Sequence, residues 1–141
     1  MKTNSFDHEK LDVYRIAMEF TLLVDELTKQ LPKGRAYLVD QLQRASSSIV
    51  FNIAEGSGEF AVNEKIRFYR MAKRSATECA GILDLCQRLN VLDESHSTQA
   101  RDLLLRVVAM LTKMARIADG QPAFARGLAR GLGDERANAR G

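Results

Sequence analysis

The feature that most constrains this chain is a helical spacing of apolar residues, repeated through long segments that contain almost no proline. Only 2 of the 141 residues are proline, the residue that most strongly interrupts a helix. Apolar residues recur at steps of three and four positions, which is the spacing of one face of an α-helix. The pattern predicts helices over about 6–31, 37–55, 63–89 and 97–118. No segment alternates as a strand would.

Each predicted helix carries an apolar stripe that its neighbours must cover. Because the connections between the four segments are short, we expect an all-α fold for residues 1–118, an antiparallel up-down-up-down four-helix bundle. Cys79 and Cys86 are seven positions apart, about 10 Å along one helix face, which is too far for a disulfide. They are expected to be reduced core residues. The stripe predicted for the third helix is Phe68, Ala72, Ser75, Cys79, Ile82 and Cys86.

Residues 119–141 have a different composition, rich in Ala, Arg and Gly, which predicts a mobile tail. Up to Asp119 the chain has 17 Lys and Arg against 16 Asp and Glu, so most of the net charge of +3 comes from this tail. Global charge therefore says little about nucleic-acid binding. No run reaches the ~18 apolar residues of a membrane span, and charges occupy the N-terminal region where a signal peptide is apolar. We expect a cytoplasmic protein.

Catalytic or metal-binding chemistry finds few candidates in this sequence. His8 and His96 are the two histidines, and neither has a ligand or nucleophile partner at helical spacing. The Glu and Glu-x-x-His pattern of di-iron bundles is absent, and the Gly-Ser-Gly of 56–58 follows no strand, so it is not a phosphate-binding loop. We expect no enzymatic activity, no cofactor and no metal.

A row of polar side chains lies beside the apolar stripe of the second predicted helix, and two more flank that of the third. Unpaired burial of such groups costs about 1–3 kcal/mol each, so they must be paired or hydrated. We favour hydrogen bonds between the two helices over the alternative of a ligand pocket. The expected interhelical polar network is Gln41, Ser48, Asn52, Glu55, Ser75 and Glu78.

Basic residues form a second row on the third predicted helix, pointing away from its apolar stripe. Such a row can contact phosphates, and Tyr69 is placed to stack on an exposed base. The alternative is a solvated face that pairs with carboxylates such as Glu64 or with a neighbouring subunit. The candidate nucleic-acid-binding residues are Arg67, Arg70, Lys73, Arg74 and Arg44.

The first predicted helix has more apolar residues than one core stripe requires. Tyr14, Met18 and Leu22 remain outside the stripe, and an exposed apolar patch of this kind marks an association site. Identical subunits joined head to tail either close into a ring or continue as a filament. These three residues are therefore a candidate oligomer interface.

Three motifs carry a resemblance to a known family. They are F-x4-L-x-V-Y from Phe6, L-x2-QL-x-RA-x2-SI-x2-NIAEG over 38–56, and RF-x3-A-x2-S-x2-E over 67–78. In these motifs the chain resembles the four-helix-bundle family of the 23S rRNA intervening-sequence proteins. The accessory variability protein of diversity-generating retroelements is a related branch. The resemblance covers roughly 6–118.

The resemblance implies an antiparallel four-helix bundle assembled as a ring-shaped homopentamer, for which most members have no assigned biochemical function. The retroelement branch is associated with a reverse transcriptase and with nucleic acid. This chain departs from the family pattern by having Lys73 and Arg74 before Ser75, which adds positive charge. We therefore expect an oligomeric, non-enzymatic protein that binds RNA, or less readily DNA, through its basic face. The alternative is a protein-interaction scaffold with no nucleic-acid role.

Overall fold

The computed structural model describes residues 4–120, which form four α-helices and two short 3₁₀ turns, with no strand in that part of the chain. The helices are α1 (Asp12–Thr28), α2 (Ala36–Ser57), α3 (Val62–Arg88) and α4 (Glu94–Ala118). The 3₁₀ turns are Asp7–Lys10 and Lys33–Arg35. The predicted tail lies outside the described residues, except for its first two.

The helices pack in a cycle in which each contacts two others. Helix α1 packs against α2 and α4, and α3 packs against the same two, while α1 and α3 do not meet. The apolar residues of α1 that recur at helical spacing are buried, and Leu11 and Leu31 are half-buried beyond its two ends: Val13, Ile16, Ala17, Phe20, Val24 and Leu27 form the buried stripe. The largest fully buried side chains are Phe20, Ile16, Leu27, Leu38, Leu42, Ile49, Ile53 and Leu111.

Helix α1 is shorter than the predicted 6–31 because both ends are interrupted. Leu11 is extended, with φ −92° and ψ 128°, and separates the first 3₁₀ turn from α1. At the other end, Pro32 disfavours helical backbone at the residue before it. The chain accordingly leaves the α-helix at Thr28, and the next two turns close by tighter i to i+3 hydrogen bonds.

The start of α4 differs from the prediction, which began the helix at 97. Asp93 is the N-cap and accepts a hydrogen bond from the His96 N–H at 2.8 Å, so α4 begins at Glu94. The short carboxylate side chain of Asp satisfies a backbone donor that has no partner inside the helix. Helix α3 begins one residue before Asn63, after Ala61, and no side chain caps it.

The core face of α3 differs from the predicted stripe at two of its six positions, Phe68 and Ser75. Tyr69 is buried with 4% of its surface exposed, whereas Phe68 is only half-buried. Ser75 is also half-buried rather than central. Cys79 and Cys86 are buried and free, which confirms the expectation of core thiols. The buried residues of the face are Ile66, Tyr69, Ala72, Ala76, Cys79, Ile82, Leu83 and Cys86.

Gly56 lies inside α2, two residues before its C-cap Gly58, and not beyond its end as its position in the sequence suggested. A Cβ atom at Gly56 would lie 2.8 Å from Cε1 of Tyr69. Gly56 therefore allows the Tyr69 ring to pack directly on the α2 backbone. None of the described helices is long and apolar enough to cross a membrane.

Candidate nucleic-acid interface

The α2–α3 seam contains a small hydrogen-bonded polar cluster, made by Ser48, Asn52 and Ser75. The Ser75 hydroxyl donates to Oγ of Ser48 across the seam at 2.9 Å. Asn52 Nδ2 donates to the Ser48 carbonyl at 2.8 Å and to Ser48 Oγ at 3.0 Å. Asn52 is 9% exposed. These three side chains lie where the sequence placed an interhelical network.

The other three members predicted for the network are not part of this hydrogen-bonded cluster. Gln41, Glu55 and Glu78 are exposed, and none of them hydrogen-bonds to the cluster within the described residues. Their positions on the helical projection were close to the seam, but each turns far enough outward for its longer side chain to reach water. The network therefore consists of short side chains at the seam itself.

Lys65 makes a contact that the sequence analysis did not identify. Its Nζ donates to the carbonyls of Gly56 at 2.9 Å and Ser57 at 3.1 Å, and it lies 5.8 Å from the Tyr69 ring centroid. Carbonyls at a helix C-terminus lack helical partners and attract positive charge. The sequence signal for this contact was the position of a lysine shortly after the short connection between α2 and α3. Lys65 is used within the fold, not on the basic face.

The predicted basic row is divided by its pairing. Arg67 contacts the Glu64 carboxylate through Nη2 at 2.9 Å and Nε at 3.2 Å, and its guanidinium lies 4.6 Å from the Phe68 ring centroid. The hydrogen bond and the opposite charge lower the pKa of Glu64 and raise the pKa of Arg67. Arg44, on α2, is exposed and paired with Asp40.

Arg70, Lys73 and Arg74 are exposed, and none forms an ion pair within residues 4–120. Arg70 and Lys73 line a depression of about 170 Å³ between α3 and α4, together with Arg116. Arg74 instead borders the seam between α3 and α2. The structure thus presents a positively charged surface that extends from the α2–α3 seam to α4. We call Arg70, Lys73, Arg74 and Arg116 the basic surface.

The proposed stacking role of Tyr69 is wrong, because its ring is buried in the core. Burial also raises the pKa of its phenol. Phe68 is half-buried beneath the Arg67 guanidinium, and Phe51 on α2 is 64% exposed. Adjacent residues on a helix point about 100° apart, so the inward position of Tyr69 leaves Phe68 at the edge of the core.

An open groove borders the basic surface along the α2–α3 seam. Its volume is about 390 Å³. The floor contains the polar cluster of Ser48, Asn52 and Ser75. The remaining lining residues, Met71, Arg74 and Glu78, come from α3. We call this the seam groove.

The candidate oligomer interface forms a second concave surface, on α1. Tyr14 and Met18 are half-buried, and Leu22 is 63% exposed. With Glu9, Arg15 and Glu19 they line a depression of about 550 Å³, which we call the α1 patch. The His8 ring lies against Tyr14, with 4.6 Å between the centroids.

Within the described part of the chain, neither histidine lies in a cluster that could act as a catalytic or metal site. His8 packs between Phe6 and Tyr14. His96 Nδ1 lies 2.6 Å from the Asp93 carboxylate at the start of α4. No group of three or more His, Cys, Asp or Glu side chains there is arranged to hold a metal ion.

Within residues 4–120 the chain is a small all-helical protein, with four packed helices and a polar seam between α2 and α3. The chain belongs to the family of the 23S rRNA-intervening sequence protein, which it matches over residues 9–113. This confirms the resemblance carried by the three sequence motifs.

The fold is similar to that of solved structures. One of them is a protein of unknown function from the S23 ribosomal protein family of Bacteroides thetaiotaomicron, at 20% identity and a TM-score of 0.69. The similarity covers 74% of this chain and 98% of that one. No curated protein matches the chain.

Proposed function

We propose that this protein binds nucleic acid, RNA in preference to DNA, through the basic surface. The observation that carries the proposal is that Arg70, Lys73 and Arg74 are exposed and form no ion pair within the described residues. Exposed cations that no carboxylate neutralises are free to displace counterions from phosphates. The family takes its name from an intervening sequence of 23S ribosomal RNA, so RNA is the first ligand to test.

The side chains of the predicted basic row contribute unequally to this function. Arg67 and Arg44 each have a carboxylate partner, Glu64 and Asp40, so phosphate contact would have to replace an existing pair. Surface ion pairs contribute little to stability, but they reduce the positive potential around each arginine. We assign the main contacts to the basic surface and a secondary role to Arg67 and Arg44.

The test is the salt dependence of binding to a single-stranded RNA, measured by fluorescence anisotropy. Glutamine at Arg70, Lys73 and Arg74 together should weaken binding and reduce the slope of log K against log salt by about 2, as loss of three phosphate contacts does. A control with three other exposed cations changed to glutamine alters the net charge equally: Lys33, Arg106 and Lys113.

A smaller change in slope is expected for the control than for the basic-surface variant. Equal slopes for both variants would show that binding depends on net charge alone and would refute the proposed surface. An absence of RNA binding by the parent at low salt would favour the alternative, a protein-interaction scaffold. The observation that favours the scaffold is the α1 patch, whose exposed Leu22 is suited to a protein partner.

We further infer an up-and-down topology and a closed ring of identical subunits. Contacts between α2 and α3 support the antiparallel direction. Lys65 near the start of α3 contacts Gly56 near the end of α2, and Ser75, ten residues further along α3, contacts Ser48, eight residues further back along α2. The α1 patch supports association, and the number of five subunits comes from the family resemblance. A reverse transcriptase is a candidate partner on the same ground.

The proposed role is non-enzymatic and cytoplasmic. Support for the first comes from the histidines, which serve an aromatic cluster and a helix cap. The non-enzymatic role would be refuted if assays with RNA substrates gave cleavage products and the loss of a single side chain stopped their formation.

A further inference from the structure

Asn52, which lines the seam groove, has a hydrogen-bond acceptor that the fold leaves unused. The amide of Asn52 contacts the Ser48 carbonyl, which can only accept, so the Asn52 nitrogen must face it. This fixes the orientation of the amide, and Oδ1 points to the other side. Within residues 4–120 no donor reaches Oδ1, although Asn52 is buried, with only 9% of its surface exposed.

The rest of the cluster adds a donor beside this acceptor. Ser48 Oγ receives hydrogen bonds from Ser75 and from Asn52. A hydroxyl oxygen has two lone pairs, so both are used and its own proton remains to be donated. The groove floor therefore offers one carbonyl oxygen as acceptor and one hydroxyl as donor.

The wall contributed by α3 adds a second acceptor, a cation and an apolar surface. Glu78 is exposed and makes no ion pair within the described chain, and its carboxylate is an acceptor for two donors. Arg74, one turn before it, is part of the basic surface. Met71 is 37% exposed, and its thioether provides a polarisable surface for an aromatic ring. The volume of about 390 Å³ lies in the range of small-ligand sites.

Among the four nucleobases, guanine best matches this arrangement. Its Watson–Crick edge carries two adjacent donor groups, the ring N1–H and the exocyclic N2–H₂, next to the O6 acceptor. Two neighbouring acceptors, Glu78 and Asn52 Oδ1, complement the donors, while Arg74 or the Ser48 hydroxyl complements O6. Uracil offers one N–H, and adenine and cytosine offer one amino group beside an acceptor nitrogen, which a carboxylate would repel.

We propose that the seam groove binds an unpaired guanine of a single-stranded nucleic acid whose phosphates lie on the basic surface. This inference rests on the proposed function, because the groove and the basic surface share Arg74. It adds base selectivity to a surface that by itself reads only charge. The two properties separate, because base contacts depend on hydrogen-bonding edges whereas phosphate contacts do not.

The test compares two RNA oligonucleotides of equal length and charge, an oligo(U) and the same oligomer with one central guanosine, by fluorescence anisotropy with the full-length protein. We expect the guanosine oligomer to bind roughly 10-fold tighter, in the range of a good bidentate base contact. Glu78→Gln should reduce this preference, because the amide removes the negative charge and replaces one of the two carboxylate acceptors with a donor. Asp102→Asn, an isosteric loss of an exposed carboxylate on α4, should leave the preference intact.

The outcomes distinguish this inference from the function on which it rests. Equal, salt-sensitive binding of both oligomers by the parent would overturn the guanine site and leave the basic surface standing. A preference of the same size in Glu78→Gln as in the parent would show that guanine is read elsewhere and would also overturn the site. Binding of neither oligomer at low salt would overturn both proposals. Circular dichroism of each variant checks that the helical fold is retained.

Discussion

Gly56 and Gly81 offer a matched test of how tightly α2 packs on α3, because both are glycines within helices. At Gly81 nothing lies within 4 Å of an added Cβ. Alanine there should stabilise the protein by up to about 1 kcal/mol through helix propensity. At Gly56 the same Cβ would lie 2.8 Å from Cε1 and 3.0 Å from Cδ1 of Tyr69, and 3.0 Å from Cβ of Phe68.

The steric effect should exceed the propensity gain at Gly56. Tyr69 is 4% exposed, and the Lys65 ammonium lies 5.8 Å from its ring centroid, so the ring has little room to move away from α2. Overpacking of a core costs about 1–3 kcal/mol, whereas the propensity gain is reduced near the end of a helix. We expect Gly56→Ala to destabilise by about 1–2 kcal/mol, which separates the two variants by about 2–3 kcal/mol.

Thermal unfolding followed by circular dichroism at 222 nm measures this difference. For a domain of this length 1 kcal/mol corresponds to about 4 °C in Tm, so the two variants should differ by about 10 °C, with the parent between them. Protein concentration must be held constant, because association also raises Tm. If Gly56→Ala raised Tm as much as Gly81→Ala does, the close approach of Tyr69 to α2 would be refuted.

Three further predictions concern the seam, the α4 cap and the α1 patch. In urea titrations, Asn52→Ala should lower the free energy of unfolding by about 1 kcal/mol. Glu55→Ala should change it by less than about 0.5 kcal/mol, because Glu55 is exposed. Similar losses for both variants would contradict the assignment of the seam. The hydrogen bonds from His96 lower the pKa of Asp93 below 3.8. The Tm of the parent should therefore exceed that of Asp93→Asn by its full amount above pH 3.8, and the difference should disappear as the pH falls through the lowered pKa. A difference that persisted at the lowest pH would contradict the cap. Leu22→Glu should reduce the mass measured by light scattering at micromolar concentration, and a parent mass near the 15.8 kDa of one chain would refute assembly.

The parts of the fold that follow from periodicity could be predicted from the sequence, and those that depend on neighbouring helices could not. The α1 stripe was predictable because its apolar residues repeat over several turns. On α3, two adjacent aromatic residues, Phe68 and Tyr69, compete for the core, and only the positions of α2 and α4 decide between them. The cap of α4 was missed in a different way, because Asp93 precedes two serines that are also good caps.

The candidate site was predictable to a similar degree. The small polar residues at the seam and the outward direction of the basic row both follow from helical projection. Helical projection does not show which cations are already paired, because the Arg67–Glu64 and Arg44–Asp40 contacts depend on side-chain rotamers. The role of Lys65 depends on the path of a four-residue connection. Its contact with Gly56 requires the three-dimensional arrangement of two helix ends.

The buried thiols of α3 make the chain its own reporter of motion. Burial raises the pKa of Cys79 to about 12, so almost none of it is thiolate at neutral pH, and its side chain is fully enclosed. A thiol reagent can then react only when α3 separates from the bundle, and the labelling rate measures how often that happens. If subunits must dissociate before α3 can open, this rate will fall as the protein concentration rises. Labelling at two concentrations would therefore show whether the breathing of one helix is controlled by assembly.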